Sequence, residues 1–472
     1  MENKLGKQSD LTQGGRQYHH GDDDPDVAYQ TTMQWTTNSE GYGQTYTHCD
    51  QIIECNQEQR ATTGRYECPI QSRLPFFNSL TPKFTYWCPK STHAYNLLVE
   101  LITSEYLKRG FHEAVTPNMY ADSMWEPSGR CQYFSQEISR LEVLRYEMMT
   151  ANCSGHCLFY GHRTPSYAEL PIKYADFGAI HRSTELCYPL VLPYIYRFIE
   201  DDSHIFCRPD QITQEVKESL DLASLFYEQV MKFKIELKLS TRSADIEKWN
   251  DAEEALKIIL KERSMLRVND GAAPHYGPRI DIVVREPHGR YYLHGWLQLD
   301  FELPERFDLG YENEDGIRLR PVLLHRAVLA PAEIFLGIIG NECARLWPFW
   351  LSLQQVAVIP VCASSISYAR KVVKELQDAN FKVEANYKCT GTLNRRIKLA
   401  VSYKHTFTLV VGRNEAVNGT VNIRTRNDHV LGEFPFDEVL SEFRRFVNEY
   451  CDDLQCFQTF EKKSSFQNTL SS

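Results

Sequence analysis

Apolar residues recur at three- and four-residue steps at Ile212, Val216, Leu220, Ala223, Phe226, Val230 and Phe233, which places them on one face of an α-helix. Further on the period shortens. Runs from Ile280 to Val284, Leu297 to Phe301 and Pro321 to Leu324 are brief, and several carry a polar residue at alternate positions, as a strand with one face in a core requires. The middle of the chain is therefore expected to form a mixed, mainly antiparallel sheet packed on helices. From Val356 strands and helices alternate: Val356 to Val361, then an amphipathic helix from Ile366 to Leu376, a strand from Phe381 to Tyr387, a basic helix from Thr392 to Tyr403 and a strand from Thr408 to Val411. That order predicts a compact α/β module. Trp347, Pro348, Phe349 and Trp350 mark the expected junction. Ahead of Leu74 no period is sustained, and the segment is rich in Gln, Thr, His, Asp and Tyr with an acidic run at Asp22, Asp23, Asp24 and Asp26. Such a composition does not offset the entropy of ordering. The expected organisation is a largely disordered tail over 1–73, idle or regulatory, a sheet-and-helix domain over 74–350, an α/β domain over 351–454 and a flexible end over 455–472.

The chain has 472 residues, 42% of them apolar and 24% charged, an ordinary balance for a globular protein. No apolar window is long and charge-free enough for a membrane span, and no apolar stretch near Met1 reads as a secretory signal. The acidic run is unlike a transit peptide, so the protein is expected to work in the cytoplasm. Its 14 cysteines lack CxxC spacing, which in a reducing compartment means free thiols and at most a metal ligand. The net charge of −10 argues against a nucleic-acid partner, but Ala357 to Phe446 is a basic island inside the acidic chain.

Several blocks, in this order, resemble class II aminoacyl-tRNA synthetases, and among them threonyl-tRNA synthetases of the eukaryotic cytosolic type. They are Tyr106-Leu-Lys-Arg-Gly-Phe-His-Glu-Ala-Val-Thr-Pro117, Asp201-Asp-Ser-His-Ile-Phe-Cys207, Tyr276-Gly-Pro-Arg-Ile-Asp281, Gln298-Leu-Asp-Phe-Glu-Leu-Pro-Glu-Arg-Phe307 and Thr420-Val-Asn-Ile-Arg-Thr-Arg426. The resemblance implies an α+β catalytic domain, an antiparallel sheet with flanking helices, followed by a small α/β anticodon-binding domain. It also implies a homodimer built around the first block near Pro117. Family members carry N-terminal regulatory and editing domains as well, and the polar residues before Leu74 are expected to be too few to hold them.

Cys153, His204 and His325 stand where the family places its zinc ligands. One thiolate and two imidazoles suit Zn²⁺ and leave a coordination position open, which in the family takes the amino and hydroxyl groups of threonine. Each residue alone would more often be a packed core residue, and the ion's role is open between catalytic and structural. Asp202, Tyr276, Gln298 and Ala327 match the amino-acid pocket. The pocket departs from the family pattern at Glu200 and Ala151, where the family has Gln and Met.

ATP and Mg²⁺ are the family's other requirements, because attack on the α-phosphate gathers negative charge that fixed cations must stabilise. Arg182 matches the second-motif arginine, with Glu185 one residue away from its expected partner position. The family's Arg-Val-Arg reads Tyr194-Ile195-Tyr196, Leu293 and Trp296 replace Gln and Thr, and Ile334 stands where the family has an ATP-binding Arg. Arg182, Glu185, Arg197, Arg279 and Arg326 remain as candidate charged groups, with Arg182 and Arg326 the candidate catalytic pair. In the C-terminal domain Arg395, Arg396, Lys404, Glu415 and Arg424 match or neighbour tRNA-contacting positions, although a basic helix is also what a solvated surface looks like. The leading expectation is a synthetase-like protein that holds metal, threonine or tRNA in a regulatory role with impaired activation, alone or in a heterodimer with an active synthetase. An active threonine-tRNA ligase and a purely structural dimer partner are the alternatives.

Overall fold

The computed structural model describes residues 76–78, 81–124, 140–141, 146–148, 151–185, 194–242, 249–263, 265, 267–285, 291–329, 331–342 and 347–470. The expected disordered tail over 1–73 lies outside the described residues. The elements that position the site are, in chain order, α1 (Pro89–Lys108), β1 (His112–Glu113), α2 (Cys153–Gly161), β2 (Ile172–Asp176), β3 (Ala179–Glu185), β4 (Tyr194–Ile199), β5 (Asp202–Cys207), α3 (Ile212–Ser224), β6 (Lys234–Ser240), α4 (Asn250–Glu262), β7 (Val268–Asn269), β8 (Arg279–Arg285), β9 (Tyr291–Asp300), β10 (Val322–Ala327) and α5 (Ala332–Glu342).

An 8-stranded sheet runs in the order β7-β6-β8-β9-β10-β5-β2-β1. Its pairs from β6 to β2 are antiparallel, and only the short edge strands β7 and β1 join parallel. The sheet is therefore mixed and mainly antiparallel, as the alternating strands predicted. One face carries Ile205, Cys207, Leu237, Ile280, Ile282, Leu297, Leu299, Val322 and Leu324 into a core closed by Leu98 and Ile102 of α1 and Val216 and Leu220 of α3. Period 2 then sends the intervening residues, Asp202, His204, Gln298, Asp300, His325 and Ala327, to the other face. The helical period from Ile212 forms as α3, and the chain continues through a wider π-helical turn, Leu225–Val230, that keeps Phe226 and Val230 buried.

The second domain contains β11 (Val356–Pro360), α6 (Ile366–Asp378), β12 (Val383–Ala385), α7 (Leu393–Ser402), β13 (Phe407–Val411), α8 (Arg413–Asn418), β14 (Thr420–Thr425), β15 (Val430–Pro435), α9 (Phe436–Asn448) and α10 (Asp453–Leu470). Its 5-stranded sheet has the order β12-β11-β13-β14-β15, parallel at β12, β11 and β13 and antiparallel beyond. The junction is shared between the two cores. Trp347 and Trp350 pack with the first, while Phe349 packs in the second among Phe381, Phe407 and Phe443.

The end of the chain, expected from sequence to be flexible over 455–472, carries a helix over most of its described residues. The helix α10 covers Asp453–Leu470, its Cys456 and Phe460 are buried, and Phe460 sits against Phe434, Phe443 and Phe446. Its start is pinned by Asp453, 2.6 Å from Arg426, and its middle by Lys463, which pairs with Glu438 and lies 3.0 Å from Glu442. The weak apolar period of this segment hid the helix: Cys456 and Phe460 are spaced by one turn, but little else on that face is large.

Candidate metal centre and amino-acid pocket

Cys153 opens α2, and His204 and His325 lie directly opposite each other on the paired strands β5 and β10. All three are buried on the polar face of the sheet, and their ligand atoms lie within 4.8 Å of one another. His204 Nε2 and His325 Nδ1 are 2.9 Å apart. Two nitrogens ligating one tetrahedral zinc ion sit about 3.3 Å apart, so the pair needs only a small opening to hold one. The other ring nitrogen of each histidine is also engaged. His325 Nε2 lies 2.9 Å from Asp300 Oδ2, and His204 Nδ1 lies 2.7 Å from His156 Nδ1.

The electrostatics fit a cation at this point. Burial works against a charged His325, but hydrogen bonds to Asp300 and Cys153 and the charge of Cys153 outweigh it and push the imidazole up to about 10. A positive charge is thus favoured at the place an ion would occupy, between Asp300 and Cys153. His156 is driven the other way, down to about 3, by burial and by the charge of His325. It is a neutral ring.

The predicted pocket residues gather around this cluster. Asp202 accepts from the Asn152 amide at 2.7 Å and lies 3.7 Å from His204 Nε2. The Gln298 amide donates to the carbonyls of Gly277 at 2.7 Å and Pro278 at 3.1 Å, which fixes the side chain. Its Oε1 is buried with no partner among the described residues, an acceptor fit for an ammonium or hydroxyl. The Gly277 backbone comes so close to β9 that a Cβ there would overlap the Leu299 carbonyl. That approach holds the neighbouring Tyr276, whose ring centre lies 6.5 Å from that of His325. Ala327 is fully buried opposite Trp296.

The residues expected near a nucleotide are differently disposed. Arg279 makes a 2.6 Å pair with Asp281 and lies 5.3 Å over the Trp296 ring. Ile334 is 8% exposed on α5. Its neighbour Glu333 is buried, accepts from the Ile199 amide at 3.1 Å and from the Tyr95 hydroxyl at 3.4 Å, and is pushed up to about 7 chiefly by that burial. Arg197 is exposed on β4 opposite His181. Arg182 and Glu185 fall on β3, and their side chains lie outside the described ones.

Arg326 takes the other face. Parity on β10 sends it to the face opposite His325, where its guanidinium lies 4.3 Å from both the Tyr106 and Phe111 rings and bonds the Ser203 and Ser219 hydroxyls. It is a buried cation on the helix-covered side of the sheet. Arg396 also points inward. It is buried, and its guanidinium bonds the carbonyls of Pro360 and Val361, so it ties α7 to the end of β11 and presents no charge to a phosphate. Arg395 is exposed at the start of α7. Lys404 is half-buried in a left-handed turn just past that helix. Glu415 caps α8 through the Gly412 amide at 2.8 Å, and Arg424 pairs with Asp428 at 2.8 Å.

Two residues hydrogen-bonded to the candidate ligands, Asp300 and His156, were not singled out from sequence. Asp300 lies two positions beyond Gln298 on the same strand face, and His156 lies three beyond Cys153 on one helix face. Both periods are legible once the ligands are suspected.

A long antiparallel sheet with its polar face over such a pocket, followed by a small α/β domain, is the arrangement of class II synthetases. Residues 138–342 match the tRNA synthetase class II core domain (G, H, P, S and T), and residues 355–446 match the anticodon binding domain. The chain is 40% identical over 423 residues to the cytoplasmic threonine-tRNA ligase of Caenorhabditis elegans, an overlap covering 88% of this chain and 58% of that protein. It is 40% identical over 418 residues to the cytoplasmic threonine-tRNA ligase 1 of Homo sapiens, covering 87% and 56%. The solved RNA binding domain of threonyl-tRNA synthetase from Cryptosporidium parvum superposes with a TM-score of 0.74 at 33% identity, covering 80% of this chain and 97% of that one. The chain belongs to the threonyl-tRNA synthetase family of class II aminoacyl-tRNA synthetases. It spans a little over half the length of the curated relatives it matches.

Proposed function

We propose that the protein is a threonyl-tRNA synthetase-like protein of the cytoplasm that retains a metal centre and a threonine pocket while its activation step is impaired. What carries this reading is the contrast at Ile334: an apolar, buried side chain stands where the family resemblance expects an ATP-binding Arg, and Arg279, another candidate cation, is already held by Asp281 and Trp296. Class II synthetases use ATP and Mg²⁺, and removal of one fixed donor to a developing anion costs roughly 10²- to 10³-fold in rate. A zinc ion held by Cys153, His204 and His325 would supply an open coordination position for an amino acid bearing both an amine and a hydroxyl. Asp202 would pair with the ammonium, and the unpartnered Gln298 Oε1 would accept from it or from the hydroxyl. The exposed apolar side chains Val115, Met119, Leu158 and Phe159 support a dimer surface near the first motif. The basic face with Arg395 and Lys398, and Arg424 with Glu415, support tRNA contact.

The working-ligase reading is favoured by one observation, the exposed Arg197 beside His181, a guanidinium one position from the family's arginine. Threonine-dependent ATP-pyrophosphate exchange on zinc-assayed protein separates the two. The expected result is exchange at background, together with threonine-dependent thermal stabilisation. Exchange at the level of an active relative assayed alongside would sink the impaired reading.

A further inference from the structure

His156, His204, His325 and Asp300 form one line of hydrogen-bond partners, with separations of 2.7, 2.9 and 2.9 Å. For His325 to offer Nδ1 to an ion, its proton must sit on Nε2, where Asp300 accepts it. For His204 to offer Nε2, its proton must sit on Nδ1, and the atom that faces Nδ1 is Nδ1 of His156. That atom can accept only if His156 carries its own proton on Nε2. We propose that His156 is a positioning residue for the metal centre: its Nδ1 accepts from His204 Nδ1–H and so holds His204 in the tautomer whose Nε2 faces the ion. Asp300 does the same for His325 from the other end of the line.

The remaining nitrogen of His156 supports this. Its Nε2 is buried without a partner among the described residues, and the ring is wholly buried beside Tyr174. A polar atom left unsatisfied in a core is costly, and an aliphatic or aromatic residue would fill the same space without the cost. The reason for an imidazole at this place is therefore the bond made by its other nitrogen. Groups that orient metal-ligating histidines commonly contribute 10- to 100-fold to affinity. Asparagine keeps an acceptor near the place of Nδ1, whereas alanine has none.

The inference rests on the reading of Cys153, His204 and His325 as a metal centre, and the wild-type protein tests that reading by itself. Zinc content and zinc affinity are measured by chelator competition on wild type, His156→Ala and His156→Asn, with the cobalt(II) absorption of each and a thermal melt to establish folding. The expected result is tight zinc binding by wild type, affinity within about 3-fold of it for His156→Asn, and a loss of at least about 10-fold with an altered cobalt band for His156→Ala. Equal affinity and identical cobalt bands in all three would overturn the positioning role. So would an equal loss in the alanine and asparagine variants. A folded wild type that binds no zinc would sink the metal-centre reading itself.

Discussion

The two ends of the pocket are built on the same strands and treated differently. At the end that holds Cys153, His204 and His325 the polar groups are buried and supported: His204 and His325 are paired in register, Asp300 and His156 stand behind them, and Gln298 is fixed by carbonyls of the Gly277 turn. At the nucleotide end Ile334 offers no donor, and Arg279 is engaged by Asp281 and Trp296. Polar groups in a core are costly unless they are paired or have a ligand. On the proposed reading, Ile334 and Trp296 would leave the nucleotide side with fewer polar groups to satisfy. The comparison teaches that buried polar side chains on one face of a sheet persist where each has a partner.

The largest effect that would break the comparison is at the metal end. Replacing Cys153 with Ala, or stripping metal with a chelator, is expected to abolish threonine-dependent thermal stabilisation while the sheet stays folded. A stabilisation that survives both would show that the pocket binds its ligand without the ion. Next in size is Arg326→Ala, which removes a buried side chain from between Tyr106 and Phe111 and leaves the Ser203 and Ser219 hydroxyls without it. A loss of about 3 kcal/mol in urea unfolding is expected, with zinc content unchanged. A change in zinc or threonine binding without loss of stability would return Arg326 to the site.

The smallest effect is a pH dependence at the nucleotide end. Burial raises Glu333 from the ordinary carboxylate range to about 7, so the folded protein binds a proton there that the unfolded chain gives up. The difference in bound protons makes stability fall as pH rises from about 4.5 to 7, with a slope of at most about 1.4 kcal/mol per pH unit from this one group. Glu333→Gln is expected to remove that part of the slope, read from urea midpoints across the window. An unchanged slope would mean that Glu333 is ionised throughout and paired by a cation at the nucleotide end, which would favour a working site.

How much of this was visible in the chain differs from residue to residue. The strands carrying the site were legible from alternation, and so was the helix from Ile212. Parity along His325, Arg326 and Ala327 already required Arg326 to face away from its neighbours. Likeness to a motif says which residues are present and not which face they take. Arg396 is a related case: a basic helix has an inner face too, and its guanidinium bonds the carbonyls of Pro360 and Val361. The helix α10 was missed because an aromatic cluster drawn from β13, β15 and α9 holds it, and no period within the segment announces such a partner.

By itself, the sequence determined the order of strands and helices, the residue types able to bind a metal and the apolar character of position 334, since these follow from local periodicity and side-chain chemistry. Only the tertiary structure decided that His204 and His325 meet across two strands, that His156 and Asp300 close the line behind them, and which arginines lie buried. Those outcomes depend on register and on which sheet face is covered, and both are settled by contacts between segments from 25 to 121 residues apart.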